Sequence, residues 1–237
     1  MSTHAFSRHA RPRVGVRAGS AHWVWLAYGF IVAFAVPFLF ADLLELNRDL
    51  FYGLYAVVVV GLIGLWSRDT GYDLRRAVRR RTAWAVGLGA IVAAVMTIMV
   101  LRTEDATARP DGLELIGAVL WRGVVYGATD GLLLSAFPIV VVFAAMAGSS
   151  LNKRFGGKIV IGAVALLASL AMTAVYHVGY SDFRSAKVAK PLTGDVIWSV
   201  PTLVTLNPIG APIAHAGLHV SAVLHSYDTD TYLPPHR

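Results

Sequence analysis

The chain has 237 residues, of which 56% are hydrophobic and only 15% charged, with a formal net charge of +7 and no cysteine. Soluble domains carry nearer a quarter charged residues, so this composition excludes an ordinary soluble fold. The missing thiols exclude disulfides, thiolate metal sites and a cysteine nucleophile. The positive charge lies in loops and near the N-terminus, where membrane topology accounts for it, so nucleic acid is not expected as a partner.

Residues 1–21 are polar and carry Arg8, Arg11, Arg13 and Arg17. They read as a disordered cytoplasmic leader. The apolar run that follows is too long for a signal-peptide core and lacks a small-x-small cleavage site, so it is expected to remain as the first span. Uncharged stretches then recur at 23–41, 51–66, 83–101, 131–151 and 159–181. Each is near the length a helix needs to cross a bilayer. The loops between them alternate. The segment 42–50 is acidic, 67–82 carries six arginines, 102–111 is slightly acidic and 152–158 is basic. Basic loops face the cytoplasm, which places the N-terminus there too.

Residues 22–111 therefore read as three N-terminal spans, 112–225 as a C-terminal membrane core and 226–237 as a polar surface tail. By charge parity, 112–151 makes one crossing, yet forty residues exceed one span at about 1.5 Å per residue. The stretch 113–130 holds Glu114, Arg122 and Asp130, and is expected to form an amphipathic or re-entrant helix leading into a span from 131. The last apolar region, 196–225, contains Pro201, Pro208 and Pro212. It is expected to be two short helices joined at "LNPIGAP", or one kinked span. The fold class is an all-α transmembrane bundle of six to eight helices, its last span broken by proline.

Three segments carry chemistry. In "WRGVVYGATDG", 121–131, Gly123, Gly127 and Gly131 form a ridge for close helix contact, with Arg122, Tyr126 and Asp130 in the adjacent row. In "SLAMTAVYHVGYSD", 169–182, Ser169, Thr173 and His177 form another four-residue row. In "HAGLH", His215 and His219 stand one helical turn apart. Ionisable groups inside a membrane are costly and mark function by default. His177, His215 and His219 suit a divalent transition metal such as zinc, or a water whose proton they shuttle, with Asp130 and Asn207 as available partners. "HAGLH" keeps the ligand spacing of the zincin helix H-E-x-x-H but has Ala216 in place of the glutamate.

"LWRGVVYG", 120–127, resembles the first motif, E-E-x-x-x-R, of the CAAX-protease and bacteriocin-processing family of intramembrane proteases. "TAVYH", 173–177, resembles its F-x-x-x-H motif, and "HAGLH" its H-x-x-x-N/D motif, in the same order. The resemblance covers roughly 112–225. It implies a membrane-embedded peptidase in which a glutamate activates water, histidines assist, and the last polar residue stabilises the oxyanion. Arg122, His177 and His215 occupy motif positions, while Thr173 replaces the phenylalanine and His219 the asparagine or aspartate. The glutamate positions hold Gly117 and Ala118, leaving Asp130 or Glu114 as a substitute base.

Three functions are compatible with these residues. The first is a membrane hydrolase acting on a membrane peptide or protein substrate. The second is a histidine-based metal-binding or proton-coupled membrane protein. The third is a non-catalytic scaffold that binds a partner through the glycine ridge.

Overall fold

The computed structural model describes residues 15–229 and 232–234, with side chains from residue 19 onward. Its regular structure is helical throughout these residues. Helix α1 (Gly15–Val36) continues as a π-helical stretch, Pro37–Leu43. Pro37 has no N–H and crowds the carbonyl one turn back, which opens the helix there. Most of the expected leader lies outside the described residues, but α1 already begins inside it, at Gly15.

Helix α2 (Arg48–Thr70) starts at Asn47, whose side chain accepts from the Asp49 N–H at 2.9 Å, and stops at Gly71, held at φ 68°. That left-handed stop is open to glycine without a Cβ penalty. A short α3 (Leu74–Arg79), capped by Asp73, carries the arginine-rich loop. Helix α4 (Thr82–Thr103) and helix α6 (Phe155–Val178) flank one long helix, α5 (Gly112–Ala145).

Helices at Gly19–Leu43, α2, α4, α5 and α6 are long and apolar enough to cross a membrane. Large side chains such as Val57, Ile91 and Leu167 project from them, each more than 60% exposed. In water such a surface is untenable, and in lipid it is the expected exterior. The chain is a multi-pass helical membrane protein.

Helix α5 corrects an expectation. Residues 113–130 do not form a separate amphipathic or re-entrant helix. They run into the span without interruption, through two π-helical stretches, Val119–Tyr126 and Leu132–Ala136. Its most apolar window is 72% buried, against 28–33% for the other four spans, so α5 is the central helix. Two of its charged residues, Arg122 and Asp130, do not force it out of the bundle because each finds a partner on a neighbouring element, while Glu114 stays exposed near its start. Arg122 donates from Nε and Nη2 to Asp49, at 2.9 and 2.8 Å, and from Nη1 to the Tyr227 hydroxyl at 2.6 Å.

The proline break is where the sequence places it. Helices α7 (Ala189–Trp198) and α8 (Val200–Thr205) end at Leu206, φ 54°, and α9 (Gly210–His225) returns antiparallel. The non-helical backbone of the break is buried in protein, so its polar groups must be satisfied internally. Thr202 Oγ1 accepts from the Ala211 N–H at 2.9 Å, and Asn207 Oδ1 accepts from the Ile209 N–H at 3.0 Å. Asn207 is thus not a partner of the histidines. Its amide nitrogen instead donates to the Val78 and Arg80 carbonyls at 2.8 and 2.7 Å, tying the break to the basic loop.

These contacts define the two ends of the bundle. Loop 71–81 and the break 206–209 share one end. Asp42 holds the Ser181 N–H at 3.0 Å and Arg184 at 2.9 Å, and the Thr107 N–H reaches the His225 carbonyl at 2.9 Å, marking the other. The tail departs from a polar surface segment. Ser226 and Leu233 are fully buried and Tyr232 nearly so, the last two packed against α4 and α9.

Candidate metal centre

Helix α9 packs against α4 on one side and α5 on the other. The glycine ridge makes the second contact. A Cβ at Gly127 would lie 2.8 Å from Ala216 Cα and 2.9 Å from the His219 ring. At Gly131 it would meet Pro212 Cα at 2.8 Å, and at Gly123 Val220 Cγ2 at 2.8 Å. Two backbones meet with no side chain between them. The ridge expected to receive a partner protein is therefore filled by the chain's own last helix, and the scaffold reading loses its binding surface.

This close approach decides where Asp130 goes. Asp130 follows the ridge by one row and is 4% exposed. Its Oδ2 lies 3.2 Å from His215 Nε2 and 3.7 Å from His219 Nε2. The two imidazoles, one turn apart on α9, are parallel within 6° with ring centres 5.0 Å apart. The other carboxylate oxygen, Oδ1, accepts from the Tyr55 hydroxyl of α2 at 2.8 Å. Tyr55 thereby orients the carboxylate so that Oδ2 faces both histidines. Trp198 lies against His215, ring centres 4.4 Å apart, and Tyr126 meets His219 edge-on at 4.9 Å.

Among the described residues, Asp130, His215 and His219 form the group of metal-ligand type whose donor atoms all lie within 4.8 Å of one another. Tetrahedral coordination with metal–ligand bonds of about 2.0–2.1 Å separates neighbouring ligand atoms by roughly 3.3 Å. The observed 3.2 and 3.7 Å bracket that value. His215 Nδ1 and both nitrogens of His219 make no hydrogen bond, although the Tyr232 backbone lies beside the His219 ring. Buried polar atoms are almost always paired, and orphans call for an explanation such as an absent ion or water.

His177 enters differently from the expectation. Its Nδ1–H donates to the Thr173 carbonyl at 2.8 Å, which fixes the ring on its own helix. It lines the same cavity as the trio but stands outside their coordination group, so the third ligand-type side chain is a carboxylate and not a third histidine. The reason is register: His177 sits at the end of α6, whereas Asp130 lies directly on the α5–α9 contact. Arg122 is two turns from Asp130 and engaged with Asp49 and Tyr227, away from the trio. Glu114, sixteen residues from Asp130 on the same helix, is exposed and is not brought to the site.

The cavity holds about 320 Å³ and extends from Asp130, His215 and His219 past Trp198 to Lys190 and Tyr232. A row of phenols stands behind it. Tyr126, Tyr176 and Tyr180 are joined hydroxyl to hydroxyl at 2.9 Å each. Tyr126 was marked in the sequence by its row with Arg122 and Asp130, but Tyr55, Tyr176, Tyr180 and Trp198 were not distinguishable from ordinary membrane aromatics. A second buried acid, Asp195, was also missed, although Ser199 four residues later signals an acid–hydroxyl pair on one helical face. It is met by Ser135, Ser169 and Ser199 at 2.7, 2.9 and 2.8 Å. No family model matches this chain, and no curated protein or solved structure is similar to it.

Proposed function

We propose that this membrane protein binds one divalent transition ion, zinc by ligand type, through Asp130, His215 and His219, and hydrolyses a carbonyl substrate beside it. The observation that carries the reading is the convergence of three buried ligand atoms from two helices, with orphan imidazole nitrogens, on one wall of a cavity. Two histidines and a carboxylate leave a coordination position open for water, and zinc lowers the pKa of that water to near 7. Asp130 then serves as a ligand, Tyr55 holds its carboxylate, and His177 faces the same cavity from α6.

The order of the three motifs supports a hydrolase in this core. The glutamate base that the resemblance implies is absent at Gly117 and Ala118. A zinc ion held there would lower the pKa of a bound water and so lessen the demand on a protein base, which bears on the missing carboxylates. A cleavable membrane peptide is the substrate that the resemblance implies. With basic loops in the cytoplasm, the cavity extends toward the outer face past Lys190 and Tyr232, and His215 sits about 15 Å below the outer end of α9, close to the bilayer midplane, since it precedes His225 by ten residues.

A second reading has one specific observation in its favour. His215 Nε2 faces Asp130 Oδ2 at 3.2 Å while Nδ1 is unpaired, the arrangement of a histidine base oriented by a carboxylate. Metal content separates the two. Purified protein incubated with zinc and desalted is expected to retain one ion per chain, and His215→Ala, His219→Ala and Asp130→Ala to retain none while remaining folded. A folded wild type that retains no ion refutes the metal reading and leaves the histidine–aspartate pair.

A further inference from the structure

The cavity beside the trio contains two more orphans. The Trp198 indole N–H and the Tyr232 O–H donate to no acceptor, the Lys190 ammonium beside the phenol being itself a donor, and their residues are only 4% and 7% exposed. Both residues form its wall. Leaving such donors dry carries an uncompensated desolvation cost, so a ligand that accepts from them is favoured. Both are neutral donors, and a neutral carbonyl oxygen is an acceptor that suits each of them.

The remaining wall narrows the class. Met99, Ile197 and Leu218 make it largely apolar. The one ammonium there, Lys190, is already engaged. Its Nζ pairs with Glu104 at 2.7 Å and lies 4.8 Å over the Tyr232 ring. A carboxylate would find no free counter-charge on the side chains around Trp198 and Tyr232, whereas a neutral ester or amide needs none. A volume of about 320 Å³ lies at the small end of small-molecule pockets, which run from roughly 300 to 1,000 Å³. That space suits one acyl chain better than an extended polypeptide.

We propose that the cavity binds a medium-chain acyl ester or amide. Its carbonyl oxygen accepts from Trp198 Nε1 and Tyr232 Oη, and its chain lies against Met99, Ile197 and Leu218. This rests on the hydrolase reading for its consequence. There, water oxygen adds to the carbonyl carbon and the acyl C–O or C–N bond breaks. The products are a carboxylic acid and an alcohol or amine carrying the second proton of water. No oxidant or reductant enters.

The test is photolabelling of the full chain in detergent with a decanamide bearing a diazirine on its chain, mapped by mass spectrometry. Metal content is measured on the same samples. Label on Met99, Ile197 or Leu218 is expected, displaced by excess plain decanamide. Trp198→Phe, which keeps a ring against His215, and Tyr232→Phe are each expected to weaken competition by about tenfold. Label spread over outer positions such as Val57 and Leu167 without competition overturns the proposal. So does competition unchanged in both variants, or displacement by an apolar peptide but not by decanamide. Saturable labelling of a metal-free wild type upholds the acyl site and removes only the metal reading. Metal retention without cavity labelling does the reverse.

Discussion

Two aspartates are buried almost equally in this molecule, Asp130 at 4% and Asp195 at 0% exposure, and their surroundings could hardly differ more. Asp195 is met by three serine hydroxyls from three segments, and Ser169 also reaches the Leu134 carbonyl at 2.9 Å. Every donor there has an acceptor. Asp130 has one phenol on one oxygen and two imidazoles beyond the other, with three imidazole nitrogens left over. Burial of a carboxylate therefore does not by itself mark a site. A closed set of hydrogen bonds fastens α5, α6 and α7 together, while an open set beside a cavity invites a ligand.

The comparison can be broken at several points. The largest effect is expected from Gly127→Leu, which drives a side chain into Ala216 and His219 across the α5–α9 contact. Overpacking against backbone should cost more than about 4 kcal/mol, read as loss of the monodisperse peak in size-exclusion chromatography. Asp195→Ala takes the shared acceptor from three buried hydroxyls and strands Ser135 at about 1–3 kcal/mol, while Ser169 keeps the Leu134 carbonyl and Ser199 keeps Ser169. It should lower the thermal midpoint strongly while the zinc-to-protein ratio of the surviving fold stays at wild type. Asp130→Ala should show the opposite pattern, with the ion gone and the melting of metal-free protein changed less. If both aspartate variants lose metal alike, the distinction between fastening and site collapses.

Two smaller effects sharpen it. Tyr55→Phe removes only the hydroxyl that holds Asp130 Oδ1. Loss of such a supporting bond typically weakens metal binding about 10- to 100-fold, measurable by competition with a chelating dye. Arg122→Lys breaks the paired contacts to Asp49, a residue that is partly open to solvent. It should cost only about 1 kcal/mol in thermal unfolding and leave metal binding unchanged. A loss of metal affinity in this variant would bring Arg122 back into the site.

Much of the fold was legible because lipid imposes a simple rule. Backbone polarity must be satisfied within the helix, and its exterior must be apolar, so runs such as 51–66 and 83–101 could only be spans. The proline break was legible for the same reason, since Pro201, Pro208 and Pro212 remove the donors a continuous helix requires. The path of 112–131 was not. Composition alone cannot tell a helix whose charges are paired by neighbours from one expelled to the interface. Whether Arg122 finds Asp49 is a property of the packed bundle.

The site divides in the same way. The i, i+4 spacing of His215 and His219 follows from helix geometry, and the sequence determined it by itself. So did the existence of the glycine ridge beside Asp130. What covers that ridge is decided only in three dimensions, because a small-residue face fits a partner protein and the chain's own helix equally well. Once α9 took that place, Asp130 rather than His177 became the third member of the group, Tyr55 became its support, and Glu114 remained outside. Sequence sets which side chains share a helix face. Tertiary packing sets which faces meet, because that depends on contacts 70 to 90 residues apart, such as Tyr55 with Asp130 and Asp130 with His215.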